Sequence, residues 1–144
     1  MIQLTYTDRI FMFKRKKPVT VSDIRHKVNW PDGLFIMTEN DICWHITKGK
    51  RYKVFSDRAL DSWHPLPISG SLISLAGHPY GGILGFRPGT VIEDLSSGII
   101  YLISNNKRRK ITNPDVLLML GLPIITVSKA EADIHEDGES LDDL

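Results

Sequence analysis

The stretch from Gly89 to Leu117 reads GTVIEDLSSGIIYLISNNKRRKITNPDVL, and an earlier stretch from Gly33 to Leu60 repeats its pattern. The earlier stretch reads GLFIMTENDICWHITKGKRYKVFSDRAL. In both, an aromatic-x-Ile group is followed by a basic cluster and a β-branched residue, at a constant offset of 57 residues that becomes 56 at the opening glycines. Self-similarity at a fixed period is the sequence signature of a repeated structural unit. The chain is therefore predicted to build one small unit twice.

Within each unit, the order of apolar runs and turn residues predicts strand, turn, strand, turn, strand and short helix. Lys48-Gly49 and Asn105-Asn106 suit the positive φ angles of tight hairpins. Asn113-Pro114 predicts a capped helix that stops at Gly121. A return strand then leads to Ser128, which with Glu131 forms the pattern of a capping box. The predicted fold class is α+β: a tandem repeat of two small antiparallel βββα units, mostly β with short helices.

Four segments follow from this pattern. Residues 1–29 are predicted to form an N-terminal β-hairpin with a basic turn at Lys14 to Lys17, residues 30–86 the first unit, and residues 87–136 the second. Residues 137–144 form an acidic tail that is expected to be frayed from Asp137 onward. His78 to Gly82 lie in the part richest in glycine and proline, which predicts a loop at the seam between units.

The charge of the chain is unevenly distributed. All 18 basic residues lie at or before Lys129, whereas seven of the 17 acidic residues lie between Glu131 and Asp143. A basic body suits an anionic partner, or it holds the chain's own acidic end. The acidic tail has two open interpretations: it docks on a neighbouring copy, or it is a solubilising end.

Several classes of site find no support in the sequence. Cys43 is the single cysteine, so no internal disulfide can form, and its apolar surroundings predict a small buried hydrophobe. The five histidines show no metal-ligand spacing, and no nucleophile elbow or phosphate-binding fingerprint is present. No catalytic residue, metal or cofactor is therefore predicted. The chain has no run of 18 apolar residues, and its N-terminus does not resemble a secretory signal, so no membrane association is expected.

The basic clusters of the two units are the clearest repeated polar feature. Alternate residues of a strand share a face, so part of each cluster would face a carboxylate-rich protein surface or a phosphate. The alternative is a charged edge strand that discourages aggregation. Trp44 and Tyr101 hold matched places and are expected to pack in the core, whereas Trp63 is less constrained. The predicted partner-binding residues are Lys50, Arg51, Lys53, Trp63, Tyr80, Lys107, Arg108, Arg109 and Lys110.

The second unit resembles a short module of bacterial cell-surface proteins and bacteriophage virion proteins. The resemblance rests on Ile100 to Ile103, Lys107 to Pro114, Leu120-Gly121-Leu122 and Ile125 to Ser128, which match the module's strand, Lys-Arg-x-Ile-x-Asn-Pro, Leu-Gly and Val-x-Val-Ser in order. The first unit is a looser copy, with Ser56-Asp57 in place of Asn-Pro. The tyrosine that usually follows Leu-Gly is Leu122 here.

The resemblance implies a module that makes contacts and catalyses nothing. The predicted function is a structural protein of a bacteriophage virion, in its capsid, neck or tail, made in the host cytoplasm and present in multiple copies beside other virion proteins. The absence of an export signal favours this interpretation over a wall-binding surface protein. A cell-wall-binding module and a nucleic-acid-binding protein are the alternatives, and nucleic acid is not the favoured partner.

Overall fold

The computed structural model describes residues 26–141 of the chain. The predicted N-terminal hairpin lies outside the described residues except for positions 26–29, and so does its basic turn. The described chain is mostly β, with two five-stranded sheets and a few short helices. Its residues fall into two compact units, one comprising residues 26–57 and 64–84, the other residues 58–63 and 85–141.

The first unit contains a sheet of mixed direction. Its strands are β1 (Phe35–Met37), β2 (Cys43–Thr47), β3 (Lys50–Val54), β4 (Ile68–Ser69) and β5 (Tyr80–Leu84). Their order in the sheet is β4-β1-β2-β3-β5. The three strands that follow one another in the chain pair antiparallel, as predicted, whereas the two outer strands pair parallel to β1 and β3.

The sheet of the second unit has the order β10-β8-β7-β6-β9. Its strands are β6 (Val91–Asp94), β7 (Ile100–Ser104), β8 (Lys107–Ile111), β9 (Ile124–Val127) and β10 (Glu136–Asp137). Strands β6 to β8 are antiparallel, and β9 and β10 pair parallel to β6 and β8. A parallel neighbour requires a crossover connection, and short helices occur in these connections in both units.

The predicted hairpin turns are confirmed. Lys48 and Gly49 have φ angles of 52° and 76°, and Asn105 and Asn106 have φ angles of 52° and 62°. Two successive positive φ angles match the right-handed twist of the flanking strands, so β2–β3 and β7–β8 are joined by tight two-residue loops.

Three α-helices occur among the described residues: α1 (Asp57–Ser62), α2 (Pro114–Leu120) and α3 (Lys129–Asp133). Asn113 caps α2, since its side chain accepts from the N–H of Asp115 at 2.9 Å, and Gly121 ends the helix with a φ of 60°. The capping box of α3 is also confirmed: Ser128 and Glu131 each accept the other's backbone N–H. A 3-10 helix, Ile73–Leu75, precedes β5.

The predicted loop at His78 to Gly82 is wrong, because Tyr80–Leu84 forms β5 against β3. The glycines permit a close approach here. A Cβ atom added to Gly81 would lie 2.5 Å from Cζ of Tyr52. Gly81 is therefore needed for contact with an aromatic ring, a role that a turn-based interpretation of glycine overlooks.

The predicted fraying from Asp137 is also wrong for the residues described. Glu136–Asp137 pairs as β10 with the basic strand β8, and the N–H of Gly138 donates to the carbonyl of Arg108 at 2.9 Å. Leu141 is buried. The acidic end therefore lies along the basic strand of its own unit, where opposite charges and backbone hydrogen bonds both hold it.

Each unit has its own buried centre. In the first, Ile36, Trp44, Ile46 and Leu75 form a cluster of buried side chains. In the second, the fully or nearly buried apolar residues include Val91, Ile92, Ile103, Val127 and Ala132. Cys43 is buried, as predicted, and burial raises the pKa of its thiol to about 12, so it packs as an apolar side chain.

Candidate partner-binding site

Strand β3 carries three basic residues that differ in exposure. Lys50 and Lys53 are exposed and Arg51 is half-buried. Alternate residues share a face of the sheet, so Arg51 and Lys53 lie on one face. Trp44 of β2 is the register partner of Lys53, and Tyr80 of β5 is the register partner of Arg51. Two cations and two aromatic side chains therefore meet on this face, which we call the β3 face.

An arginine stacks over an aromatic ring in both sheets. Cζ of Arg51 lies 4.8 Å from the ring centroid of Trp44, and Cζ of Arg108 lies 4.9 Å from the ring centroid of Tyr101. A guanidinium over a ring is attracted by the negative π face. Both rings are buried, as predicted, so each stack closes one side of its core while leaving part of the arginine accessible.

The two arginines differ in their partners. Nε of Arg108 donates to Oδ1 of Asp137 at 2.8 Å, and its Nη1 donates to Oδ1 of Asp133 at 3.0 Å. Burial acts against the charge of Arg108, but these two hydrogen bonds outweigh it and raise the pKa of the guanidinium. Asp133 also accepts from Lys129, which lowers the pKa of that carboxyl. The guanidinium of Arg108 is thus occupied by carboxylates of its own chain.

For Arg51, the described residues provide no such carboxylates. Its Nε is buried and, within the described part of the chain, has no hydrogen-bond partner. The strand beside β3 places Tyr80 where the strand beside β8 places Asp137, since Arg51 pairs with Tyr80 and Arg108 pairs with Asp137. The Tyr80 ring contacts Trp44 edge-on, with centroids 6.3 Å apart, and the residue is 56% exposed.

A shallow cavity of about 420 Å³ lies beside Tyr101 in the second unit. It is bounded by the Arg108–Asp137 pair and by the end of the acidic segment, its lining being Ile99, Tyr101, Arg108, Lys110, Asp137, Gly138 and Ser140. Positive and negative side chains both line it. This part of the second unit is therefore closer to electrical neutrality than the β3 face.

The structure distributes the predicted partner-binding residues between the units. Lys50, Arg51, Lys53 and Tyr80 come together on β3 and β5. Trp63 belongs to the second unit, where its Nε1 donates to the carbonyl of Gly85 at 2.9 Å. The indole N–H therefore forms a hydrogen bond within the unit. The remaining residues lie on β8, with Arg108 and Arg109 half-buried and Lys107 and Lys110 exposed. Nε of Arg109 donates to the carbonyl of Glu139 at 2.8 Å.

Two of the three buried histidines among the described residues have structural roles that were not predicted. Nδ1 of His78 lies 2.8 Å from the carbonyl of Gly49, and its Nε2 accepts the N–H of Trp30 at 3.0 Å. Nδ1 of His78 therefore donates and its Nε2 accepts, with the carbonyl of Val28 a further 3.2 Å contact of Nε2. His135 bonds in the same way to the carbonyl of Asn106 at 3.1 Å and to the N–H of Phe86 at 2.9 Å. The signal was available, because His78 and His135 are separated by the same 57 residues as the aromatic residues.

Among residues 26–141, no group of three or more His, Cys, Asp or Glu side chains is arranged to hold a metal ion. Over the same range, no helix has the length and apolarity to cross a bilayer. Comparisons with protein-family models, with curated proteins and with solved structures gave no match to this chain.

Proposed function

We propose that this chain is a non-enzymatic structural protein of a bacteriophage virion, which contacts other virion proteins in the capsid, neck or tail. The observation that carries the proposal is the stacked arginine–aromatic pair, built once in each sheet at distances of 4.8 and 4.9 Å. A pair built twice on matched strands suits a scaffold module whose other residues differ from copy to copy.

We further infer that the two sheets are tandem copies of one module. The strands of both sheets follow the same order, with the return strand at one edge and the last strand at the other. Trp44 pairs with Lys53 as Tyr101 pairs with Lys110. The opening glycines also match, since the N–H of Gly33 donates to Ile46 and that of Gly89 to Ile103, at 2.7 and 2.8 Å.

The family resemblance supports the same proposal. The Lys-Arg-x-Lys-Ile-x-Asn-Pro run spans β8 and the cap of α2, and Leu-Gly ends that helix. These residues form turns, caps and core contacts, so the resemblance concerns the scaffold. Contact with partners would then depend on the exposed residues that differ between copies, as Tyr80 and Asp137 do.

The β3 face is the surface best suited to a partner. Lys53 on this face and Lys50 on the opposite face are exposed and have no ion pair within the described residues, whereas the strand beside β8 brings carboxylates of its own. Tyr80 adds an exposed aromatic side chain, of the type that anchors protein interfaces. Buried apolar area would supply most of the binding energy, and the basic residues would supply register and association rate.

Mass spectrometry of purified phage particles from lysates that contain this protein tests the proposal. The protein is expected in the particles at a fixed copy number, and electron microscopy should place it between other virion proteins. Its absence from particles while it persists in the lysate would overturn the proposal. Salt-resistant retention on isolated cell walls, or retention on DNA that falls steeply with salt, would favour a different function.

A further inference from the structure

In the second unit, the arginine that stacks on an aromatic ring binds carboxylates. Arg108 lies over Tyr101 and donates to two carboxylates, one from β10 and one from α3. The charged hydrogen bonds measure 2.8 and 3.0 Å, near the ordinary length for a guanidinium and a carboxylate. The site is complete within the chain, because the acidic segment that supplies Asp133 and Asp137 lies along β8.

The first unit presents the same arginine, and no carboxylate among residues 26–141 forms an ion pair with it. Arg51 lies over Trp44 at nearly the same distance, but its buried Nε has no partner among the described residues. An unpaired donor shielded from water costs free energy, and a donor on a charged group costs more. The strand beside β3 places Tyr80 next to Arg51, at the position where Asp137 lies next to Arg108. This strand therefore offers Arg51 no carboxylate at that position.

We propose that Arg51 is the centre of a carboxylate-binding subsite, and that its ligand is an Asp or Glu side chain on a partner protein. This inference rests on the proposed function and names the chemistry of the contact. Trp44 supports the guanidinium from below. Lys53, on the same face and directly opposite Trp44, supplies a second positive charge. The exposed Tyr80 ring shifts so that the carboxylate reaches Nε and a terminal nitrogen of Arg51, the two kinds of nitrogen that Arg108 uses for Asp137 and Asp133.

The composition of the β3 face favours a carboxylate over a nucleic acid. Only three cations lie on β3, and two of them share a face. A phosphate backbone is usually held by a longer row of positive charges, whereas one guanidinium and one ammonium match a pair of acidic side chains. The same chain satisfies the matched guanidinium of Arg108 with two aspartates.

The ligand test uses the full chain, labelled with ¹⁵N, and follows the Nε–H resonances of its arginines. The probe is an acetylated hexaglutamate amide, with the hexaglutamine peptide as the uncharged control. Hexaglutamate is expected to shift the Arg51 resonance in a saturable way and to leave Arg108 unchanged. Arg51→Gln should weaken binding at least tenfold, whereas Arg87→Gln, which removes an exposed arginine of the second unit, should change it less than twofold.

A second pair of variants supplies the missing acid from within. Tyr80→Asp copies Asp137 and should place a carboxylate beside Arg51, so it should shift the Arg51 resonance without peptide and weaken hexaglutamate binding at least tenfold. Tyr80→Asn has the same shape without the charge and should bind at least three times more tightly than Tyr80→Asp. Equal binding by the two variants would overturn the proposal.

Three further results would overturn it: no shift of Arg51 with hexaglutamate, equal loss of binding in Arg51→Gln and Arg87→Gln, or a shift produced only by a dT12 oligonucleotide. Particle analysis separates this inference from the proposed function. If Arg51→Gln protein enters particles to the same extent as the unmodified chain, the proposed function stands and the subsite at Arg51 is rejected. If the unmodified chain binds hexaglutamate but is absent from particles, the subsite stands and the virion function is rejected.

Discussion

Nε2 of His135 accepts the backbone N–H of Phe86 at 2.9 Å, in a site where the histidine is almost fully buried. The same ring donates from Nδ1 to the carbonyl of Asn106 in the hairpin turn between β7 and β8. One neutral side chain thus joins the start of the second unit to a turn, and it directly precedes the strand β10. His78 makes the matched pair of bonds in the first unit.

Protonation of Nε2 would break the hydrogen bond from the N–H of Phe86, so we expect acid to destabilise the second unit. Burial lowers the pKa of His135 from 6.5, and the nearby Arg108 adds to the effect, while the bond to Asn106 acts against it. The unfolded chain therefore takes up a proton first, so stability is full above about pH 6.5 and falls as the pH drops toward the folded-state value. Each pKa unit by which folding lowers the pKa of His135 contributes about 1.4 kcal/mol to the free energy of unfolding at neutral pH.

Urea unfolding between pH 7.5 and pH 5, followed through amide signals of β7, measures this dependence. His135→Gln removes the titrating group and should flatten the profile in that window. Carboxylates such as Asp133, whose pKa lies below its ordinary value of 3.8, lose their stabilising charge only at lower pH. An unchanged profile in His135→Gln would show that another group carries the dependence.

Gly81→Ala should destabilise the first unit by about 1–3 kcal/mol. The added methyl group would lie within 3.0 Å of three atoms of the Tyr52 ring, so the ring or strand β5 must move. Gly77→Ala is the matched control, because the nearest atom to its added Cβ is Cδ of Lys27 at 3.8 Å. Thermal unfolding of both variants checks the prediction, and equal changes in midpoint would contradict it.

Ile103→Ala should cost about 2–5 kcal/mol, because the side chain is fully buried in the second unit and its loss leaves a cavity. Met119→Ala serves as the control for removing a large apolar side chain. Met119 lies on α2 and is 84% exposed, so its change should stay within about 0.5 kcal/mol. Urea denaturation of the two variants compares the free energy of unfolding after losing a buried and an exposed apolar side chain. A comparable decrease in both variants would refute the assignment of Ile103 to the core.

Arg108→Gln should loosen the acidic segment. Asp137 loses its charged partner, and Asp133 keeps only its ion pair with Lys129. The strand pairing between β10 and β8 covers only two residues. A protease that cleaves after glutamate should therefore cut at Glu136 or Glu139 faster than in the unmodified chain. Arg87→Gln is the charge-matched control and should be cut at the unmodified rate. Equal cutting of all three proteins would argue against docking through Arg108.

The β2–β3 and β7–β8 hairpins, their turns and the caps of α2 and α3 could be predicted from the sequence, because they depend on residues close together in the chain. Asn105-Asn106 tolerates the positive φ angles that a two-residue hairpin loop demands, and Asn113-Pro114 caps a helix through a bond that spans two residues. The basic clusters were found as a pattern for the same reason. The matched spacing of His78 and His135 is equally present in the sequence.

The outer strands and the state of each arginine could be decided only by the tertiary structure. Tyr80–Leu84 and Glu136–Asp137 are short segments with weak strand patterns, and each becomes a strand by pairing with a distant one. Whether a guanidinium is neutralised depends on which residue those strands bring beside it: Asp137 for Arg108 and Tyr80 for Arg51. Local sequence determines backbone geometry through short-range sterics and hydrogen bonds. The guanidinium of Arg108 is neutralised by aspartates that lie 25 and 29 residues away in the chain, and only folding brings them within hydrogen-bond distance.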